Sequence, residues 1–506
     1  MKYQLIAPCA FLLFGAQLSA QPVLDSVALR YAATITNAEL REHLQILASD
    51  SFLGRDTGKE GQKMAAAYLK NAFIRAGIPP VTGVDPDAII DGYFQPYKLI
   101  EERTGGLSIR SKGEEYTYKK EIAYFNEDMD GDLSVSEVIY LGDGTQLPKT
   151  SIKGAVVLLA GAGMTKGGDF WSTLRSWMEM IRKAEPAVIL VGIPDLQKVI
   201  GEVHLPSSNV RLDDGSQKGR NGTSRAQMIL VDGMTMDRLL GRTNMAKLAK
   251  KKPGRQLPVD FLIQAVPQQQ ELQAENVLAF IEGTDKKAEI VILTAHYDHI
   301  GVEDGVVYNG ADDDGTGTVA LLEIAEAFAA AKAAGHGPRR SILIMPVSGE
   351  EKGLLGSKYY SEHPVFPLAN TVADLNIDMI GRTDTAHTDS PPYVYVIGSD
   401  RLSTELHEAN EEANSLYAKL DLDYTYNAPN DPNRFYFRSD HYNFARKGVP
   451  SIFYFSGVHE DYHQPGDDVE KIDFDLLHQR ALLVYYTAWI LANQEKRIEV
   501  DKPPKP

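Results

Sequence analysis

Cysteine is almost absent from this chain of 506 residues: the single one, Cys9, lies inside an N-terminal apolar run. Beyond that run there can be no disulfide, no thiolate nucleophile and no thiolate metal ligand, so any metal centre must be built from nitrogen and oxygen. Positive charge is also short. Lys plus Arg number 52 against 69 Asp plus Glu, a net charge of −17. With no long Lys/Arg run, this argues against nucleic acid or an anionic membrane surface as partner. No stretch past the leader reaches the roughly 18 consecutive apolar residues that a membrane span needs. Hydrophobic residues at 43% and charged residues at 24% are ordinary for a globular protein. The length predicts about three domains, or one large domain with an insertion.

Lys2, the apolar run over 5–18 and Ser19-Ala20-Gln21 read as a secretory signal peptide over 1–20, cleaved near Ala20. The protein is therefore expected to be exported, to a periplasm or to the medium. Thr36 and Glu39 form a capping-box pattern ahead of Leu40, Leu44 and Leu47 at helical spacing. A glycine-punctuated loop over 54–61 leads to a second helix carrying Ala65, Tyr68, Leu69 and Phe73. Residues 21–125 are expected to open the main domain. Over 126–265 short β-rich runs at 138–141, 155–159, 187–191 and 228–231 alternate with turns and one helix near 171–183, which predicts an inserted module. The main part of the domain is expected over 266–495, with strands at 290–294, 341–347, 372–377, 393–397 and 451–455 and helices at 316–334, 402–416 and 474–492. Strands alternating with helices predict an α/β fold with a mixed, mostly parallel sheet covered on both faces. The tail over 496–506 is expected to be disordered.

In such sheets, ligands gather at the carboxyl ends of the strands, and there the polar residues cluster. The first strand ends in AHYDH (295–299), and a loop closes with GADDDGTG (310–317) into the long helix. The second strand runs into SGEEKG (348–353), the third into NIDM (376–379), and EDYHQP (460–465) follows the last. Two histidines with several carboxylates and no sulfur suit a borderline divalent ion such as zinc, and a carboxylate can bridge two of them. Of the adjacent acids Glu350 and Glu351, one can bind metal while the other handles protons, the division of labour that metal-assisted hydrolysis needs.

AHYDH, GADDDGTG, SGEEKGLLGS (348–357), NIDMIGR (376–382) and DYHQPGDD (461–468), in that order, resemble family 28 of the metallopeptidases, the di-zinc exopeptidases. Residues 48–69 are similar to the family's opening helices, and 126–265 stand where many members carry a protease-associated domain. The resemblance implies a zinc-exopeptidase fold with an inserted protease-associated-like domain. It also implies two Zn2+ per chain, with His296 and Asp378 on one, Glu351 and His463 on the other, and Asp313 bridging. Asp313 is the choice because the family's bridging acid stands four residues before the Gly of the Thr316-Gly317 pair. Glu350 would be general base and later acid, Asp298 would fix the tautomer and orientation of His296, and Tyr462 would stabilise the oxyanion. Asp440 reads as a structural hydrogen-bonding group, and His299, His441 and His459 as supporting or surface residues.

The implied substrate is a peptide or protein terminus, and the leading reading is an aminopeptidase. Alternatives are a carboxypeptidase or dipeptidase of the same fold, or a non-catalytic binding protein; a glutaminyl cyclase works with one zinc and fits a full di-metal set less well. For a carboxypeptidase an Arg or Lys should meet the substrate carboxylate, and Arg382 and Arg438 stand near the motifs. Residues 126–137 match a twelve-residue Ca2+ loop except for Asn126 at the first position. The following run reads as strand, where an exiting helix is expected, so calcium stays outside the site set. Oligomeric state is not legible.

Overall fold

The computed structural model describes residues 24–125, 129, 131–142, 147–160, 181–202, 208–213, 226–266, 268–388 and 390–502. The leader, most of the helix expected near 171–183 and the first part of the calcium-like loop lie outside them.

The main sheet has seven strands in the order Ala279–Ile281, Arg340–Val347, Lys286–His296, Thr371–Ile377, Ser451–Phe455, Tyr393–Ile397, Asp421–Asp423. The four from Arg340–Val347 to Ser451–Phe455 run parallel, and antiparallel pairings flank them. Alternation explains why this sheet is buried twice. Along Lys286–His296, Val291, Leu293 and Ala295 enter one core while Ile290 and Ile292 enter the other. The first core is covered by helices Gly317–Ala333 and Phe474–Asn493, with the N-terminal helices Asn37–Leu47 and Glu60–Arg75 beyond. Tyr360 and Phe444, from helices Leu355–Glu362 and His441–Ala445, cover the second. The α/β expectation holds, and the carboxyl ends of four parallel strands face one edge.

A second sheet of eight strands is built from 107–265, and a long ribbon leads in and out of it. Phe94–Arg103 pairs antiparallel with Gln268–Val277, from Phe94 opposite Val277 to Arg103 opposite Gln268. Strands Leu107–Ser111, Glu114–Tyr116 and Ile122–Ala123 belong to this sheet. The module thus starts before 126, because Leu107–Ser111 pairs with the module's last strand, Arg255–Ala265. Residues 131–137 of the calcium-like loop are the start of strand Gly131–Tyr140. The tail also departs from expectation. Residues 496–502 lie against the body: Ile498 is buried, Arg497 donates to the carbonyls of Ala369 and Thr371, and Lys502 N donates to Leu402 O.

Helix Gly317–Ala333 carries one acid into the core. Glu323 is buried, with its Oε1 3.6 Å from His43 Nε2. Burial first, and the charge of Glu39 second, push its carboxyl up to about 8. The folded protein therefore holds this proton to about pH 8, whereas an unfolded chain releases it near pH 4.3. The stability it contributes is complete below the lower value and is lost as pH rises through the higher. Glu323→Gln should accordingly be close to neutral or slightly destabilising at pH 4 and stabilising at pH 8, by on the order of 2 kcal/mol or more. Urea unfolding at the two pH values checks this; an equal effect at both would refute the buried neutral acid.

Candidate metal centre and its cleft

His296 is the last residue of its strand, and in the parallel register it stands opposite Val347, three residues before Glu350. Asp378 follows Ile377 directly, and Ile377 stands opposite Tyr454. Strand register alone therefore brings the first acids and His296 to one place.

The three consecutive aspartates are sorted by backbone donors. Asp314 accepts from the N–H groups of Gly317, Met379 and His296 at 2.8, 3.1 and 3.2 Å. Asp312 accepts from Gly381 N at 2.6 Å and from Thr316 Oγ1 at 3.1 Å, with His459 Nε2 at 3.2 Å from its other oxygen. Asp313 is left to the histidines. Its Oδ1 lies 3.2 Å from His296 Nε2 and its Oδ2 3.1 Å from His463 Nε2. Asp378 Oδ1 is 3.6 Å from His296 Nε2, and Glu351 Oε2 is 3.1 Å from His463 Nε2. Asp313 thus has one oxygen toward each histidine–acid pair.

Among the described residues, two groups have ligand atoms within 4.8 Å of one another: His296, Asp313 and Asp378, and His299, Asp313 and Glu351. His299 is therefore no surface residue. It is buried, and its Nδ1 lies 2.9 Å from Glu351 Oε1. Its ring presses against Gly310, where an added Cβ would sit 2.4 Å from His299 Cγ and where φ is +53°; only glycine fits. His441 and His459 are likewise buried. His299 was legible as one of the two histidines of HYDH, but its burial was not.

The electrostatics of the cluster call for positive charge. Although burial disfavours the imidazolium, Asp313 and Glu351 push His463 up to about 10, and Asp378 and Asp313 raise His296 well above the usual histidine range. Burial and Asp313 push Glu351 upward, but the imidazoles of His299 and His463 outweigh them and hold it down at about 2. Glu350, without such a partner, is held well above the usual range by burial and then by Glu351 and Asp378, against the pull of His296. Two adjacent acids of one sequence run are thus driven apart by their surroundings.

Asp298 departs from expectation. His296 Nδ1 lies 3.0 Å from the Asp298 backbone carbonyl, and the carboxylate is farther, at 3.8 Å. That carboxylate instead accepts from Thr57 Oγ1 at 2.6 Å and from Glu350 N at 3.2 Å, tying the two strand ends together. Either way, a proton on Nδ1 leaves Nε2 as the free lone pair. Tyr462 stacks on His463 at 3.9 Å between ring centroids and accepts from Arg438 Nη2 at 3.3 Å. Burial, and then the nearby acids, raise its phenol, which keeps its proton. Asp440 accepts from the hydroxyl of Ser357, and burial pushes it up to about 7. Its neighbour Ser439 donates to Asp378 Oδ2 at 2.6 Å. A cleft opens over the cluster, bounded by Asp313, Glu350 and Asp378 on one side and by Phe435, Phe453 and Phe455 on the other.

Three further residues escaped sequence reasoning. Asp467 accepts from the backbone N–H groups of Asp312 and Asp313 at 3.0 Å. Lys352 reaches Asp56 at 2.8 Å and pins the glutamate loop to the N-terminal segment. Arg55 is buried, and its guanidinium donates to the carbonyls of Leu47, Tyr297, Asn309 and Gly310 at 2.7–2.9 Å. It clamps the loop after His296 to the loop before Asp313. Asp467 was visible in the last motif and Arg55 in the stretch 48–69, but a network of carbonyl acceptors has no signature in sequence.

Residues 276–488 match the family model described as peptidase family M28. The chain is 29% identical over 254 residues to a probable zinc metalloprotease from Pyrenophora teres f. teres (strain 0-1), covering 43% of this chain and 51% of that protein. It is 27% identical over 219 residues to an aminopeptidase from Bacillus subtilis (strain 168), covering 42% and 43%. The chain thus spans about half the length of the curated relatives it matches. Among solved structures, an aminopeptidase from Aneurinibacillus sp. strain AM-1 superposes with a TM-score of 0.57 at 18% identity, covering 95% of this chain and 98% of that one. At that identity the likeness speaks for the fold.

Arg55→Met should strand four buried carbonyls and lower the unfolding free energy by roughly 3 kcal/mol or more. Arg55→Lys should restore less than half, because one ammonium cannot reach acceptors spread across two loops. Chemical denaturation of both variants checks this; a loss below about 1 kcal/mol for the Met variant would remove the clamp from the account.

Proposed function

Residues 276–488 of the chain belong to peptidase family M28, and from that premise we propose that the protein is an exported di-zinc aminopeptidase. The observation that carries the reading is Asp313, with one carboxylate oxygen toward His296 and the other toward His463. The donor set fits zinc: imidazole nitrogens and carboxylates without sulfur. The buried His296 Nε2, Asp313 Oδ2 and Glu351 Oε1 have only one another's neighbouring acids and imidazoles in reach and no hydrogen bond of regular geometry, which suits ligands of a cation. His296 and Asp378 would hold one ion, Glu351 and His463 the other, with Asp313 shared. Bound there, zinc would polarise a scissile carbonyl and make water acidic enough to lose a proton near neutral pH.

The chain's own groups do the rest. Glu350 borders the cleft beside Asp313 and Asp378; its carboxylate takes a proton from the attacking water and returns it to the leaving amine. The Asp298 carboxylate holds the Glu350 backbone N–H, and the Asp298 carbonyl holds His296 Nδ1, so one residue orients both. The Tyr462 phenol accepts from Arg438 and keeps its own proton to donate to an oxygen gaining negative charge. Acids lining the cleft suit the α-ammonium of a free N-terminus. Retention of Glu350 beside a full ligand set argues against a non-catalytic binding protein. The leader over 1–20 supports export, and among the described residues no helix is long and apolar enough to cross a membrane. The sheet built from 107–265 is assigned as the protease-associated-like module.

Aminoacyl-nitroanilides should be cleaved, N-acetylated counterparts should not, and chelation should abolish cleavage until zinc is added back. Glu350→Gln should lower kcat by roughly 10²–10⁴-fold while still binding two zinc ions per chain. His463→Ala should bind about one. Failure of the native protein to bind zinc would overturn the proposal, and two ions retained in His463→Ala would hand the second site to His299.

A further inference from the structure

Two arginines, Arg382 and Arg438, stand near the ligand motifs in sequence, and the structure treats them differently. Arg382 is neutralised within the protein. Its guanidinium lies 3.2 Å from Asp461 Oδ2 and 3.4 Å from Glu460 Oε1. Arg438 has no such partner: among the described residues no carboxylate lies in ion-pair range of it. It lines the cleft together with Glu350, Asp313 and Tyr462 and is the single cation among the described lining residues. The guanidinium carbon sits 4.8 Å from the centroid of the Phe435 ring, and Nη2 donates to Tyr462 Oη at 3.3 Å. Stacking and hydrogen bonding thus hold the fork at the cleft while leaving most of its N–H donors unused.

An arginine fixed on an aromatic face with spare donors is built to receive a planar anion two-handedly. No acid of the same cleft pairs with it: Asp313 and Asp378 face the histidines, and Glu350 lies outside ion-pair range. We propose that Arg438 receives a carboxylate of the substrate, so that substrates with a carboxylate near the scissile bond are preferred. This rests on the peptidase reading and sharpens it. The carboxylate could be the free C-terminus of a di- or tripeptide or an acidic side chain next to the scissile bond; the chemistry is the same. The assignment selects short peptides or acidic residues, where an apolar wall alone would select only for hydrophobic side chains.

The test compares matched substrates on the zinc-loaded full chain: Leu-Leu against Leu-Leu-amide for a terminal carboxylate, and Leu-Glu-amide against Leu-Gln-amide for a side chain. At least one pair should show a kcat/KM about 10-fold or more higher for the acid, carried mainly by KM, and the pair that does identifies the source. In Arg438→Gln that ratio should fall below about 2-fold, and Arg438→Lys should keep part of it. Ratios near one for both pairs in the native protein, or an undiminished ratio in Arg438→Gln, would overturn the proposal. Calorimetry of the same pairs with zinc-loaded Glu350→Gln reads the preference without turnover. No cleavage of any substrate by the native protein would sink the peptidase reading; equal binding of acid and amide in calorimetry would sink the Arg438 assignment.

Discussion

Burying many carboxylates at one edge of a sheet is the constraint around which this molecule is arranged. An ionised acid taken out of water costs several kcal/mol unless donors or cations replace its hydration. The backbone supplies most of them. Asp314 and Asp467 are held by peptide N–H groups, Asp312 by one N–H with the Thr316 hydroxyl and His459, and Asp298 by Thr57 and an N–H. What remains after that satisfaction is the set aimed at His296 and His463. The chemistry of the site is the residue of a hydrogen-bonding problem that the loops solve almost completely.

Solving it requires loops held to fractions of an ångström, and the holding groups come from far along the chain. Arg55 joins the two loops that carry the HYDH and DDD motifs, across some 240 to 255 positions of sequence. The glutamate loop is held from the other side by the ribbon. Tyr97 donates to Ser348, the Ser348 hydroxyl donates to Glu275 O, and Asn276 donates to Gly356 O at 2.9 Å. Since Phe94–Arg103 and Gln268–Val277 are also the way into the second sheet, the eight-stranded unit is mechanically continuous with the loop that carries Glu350. A displacement of that unit has a covalent and hydrogen-bonded path to Glu350.

Much of this was legible because register and strand ends are properties of pattern. Tyr393–Ile397 and Ser451–Phe455 match their predicted bounds, and the long helices fall within a few residues of theirs. The motifs stood at strand ends, and the family resemblance they carry grouped His296, Asp313, Glu351, Asp378 and His463, which the structure brings together. The misses share one physical cause. The module's start at 107, the packed stretch 496–502, the burial of His299 and the clamp by Arg55 all depend on partners distant in sequence. Ile498 and Arg497 look like a solvated tail until Ala369 and Thr371 offer their surface and carbonyls. The Asp298 carbonyl, which takes the role expected of its side chain, belongs to the backbone, and a sequence reading has no means of ranking it.

The loop over 459–463 shows how such distant partners decide chemistry. It delivers His463 to Asp313 and Glu351, Tyr462 to the cleft, and Asp461 to Arg382 and Lys471. With Arg382 so engaged, its charge serves to anchor the loop. Arg438, on a neighbouring segment, has only a phenol and an aromatic face, so its charge is left for what enters the cleft. Two arginines equal in type are thereby given opposite tasks. The difference lies in where one aspartate of the same loop points. In the proposed peptidase, that unpaired charge at the rim would draw the carboxylate of a substrate outward, away from the ligand cluster.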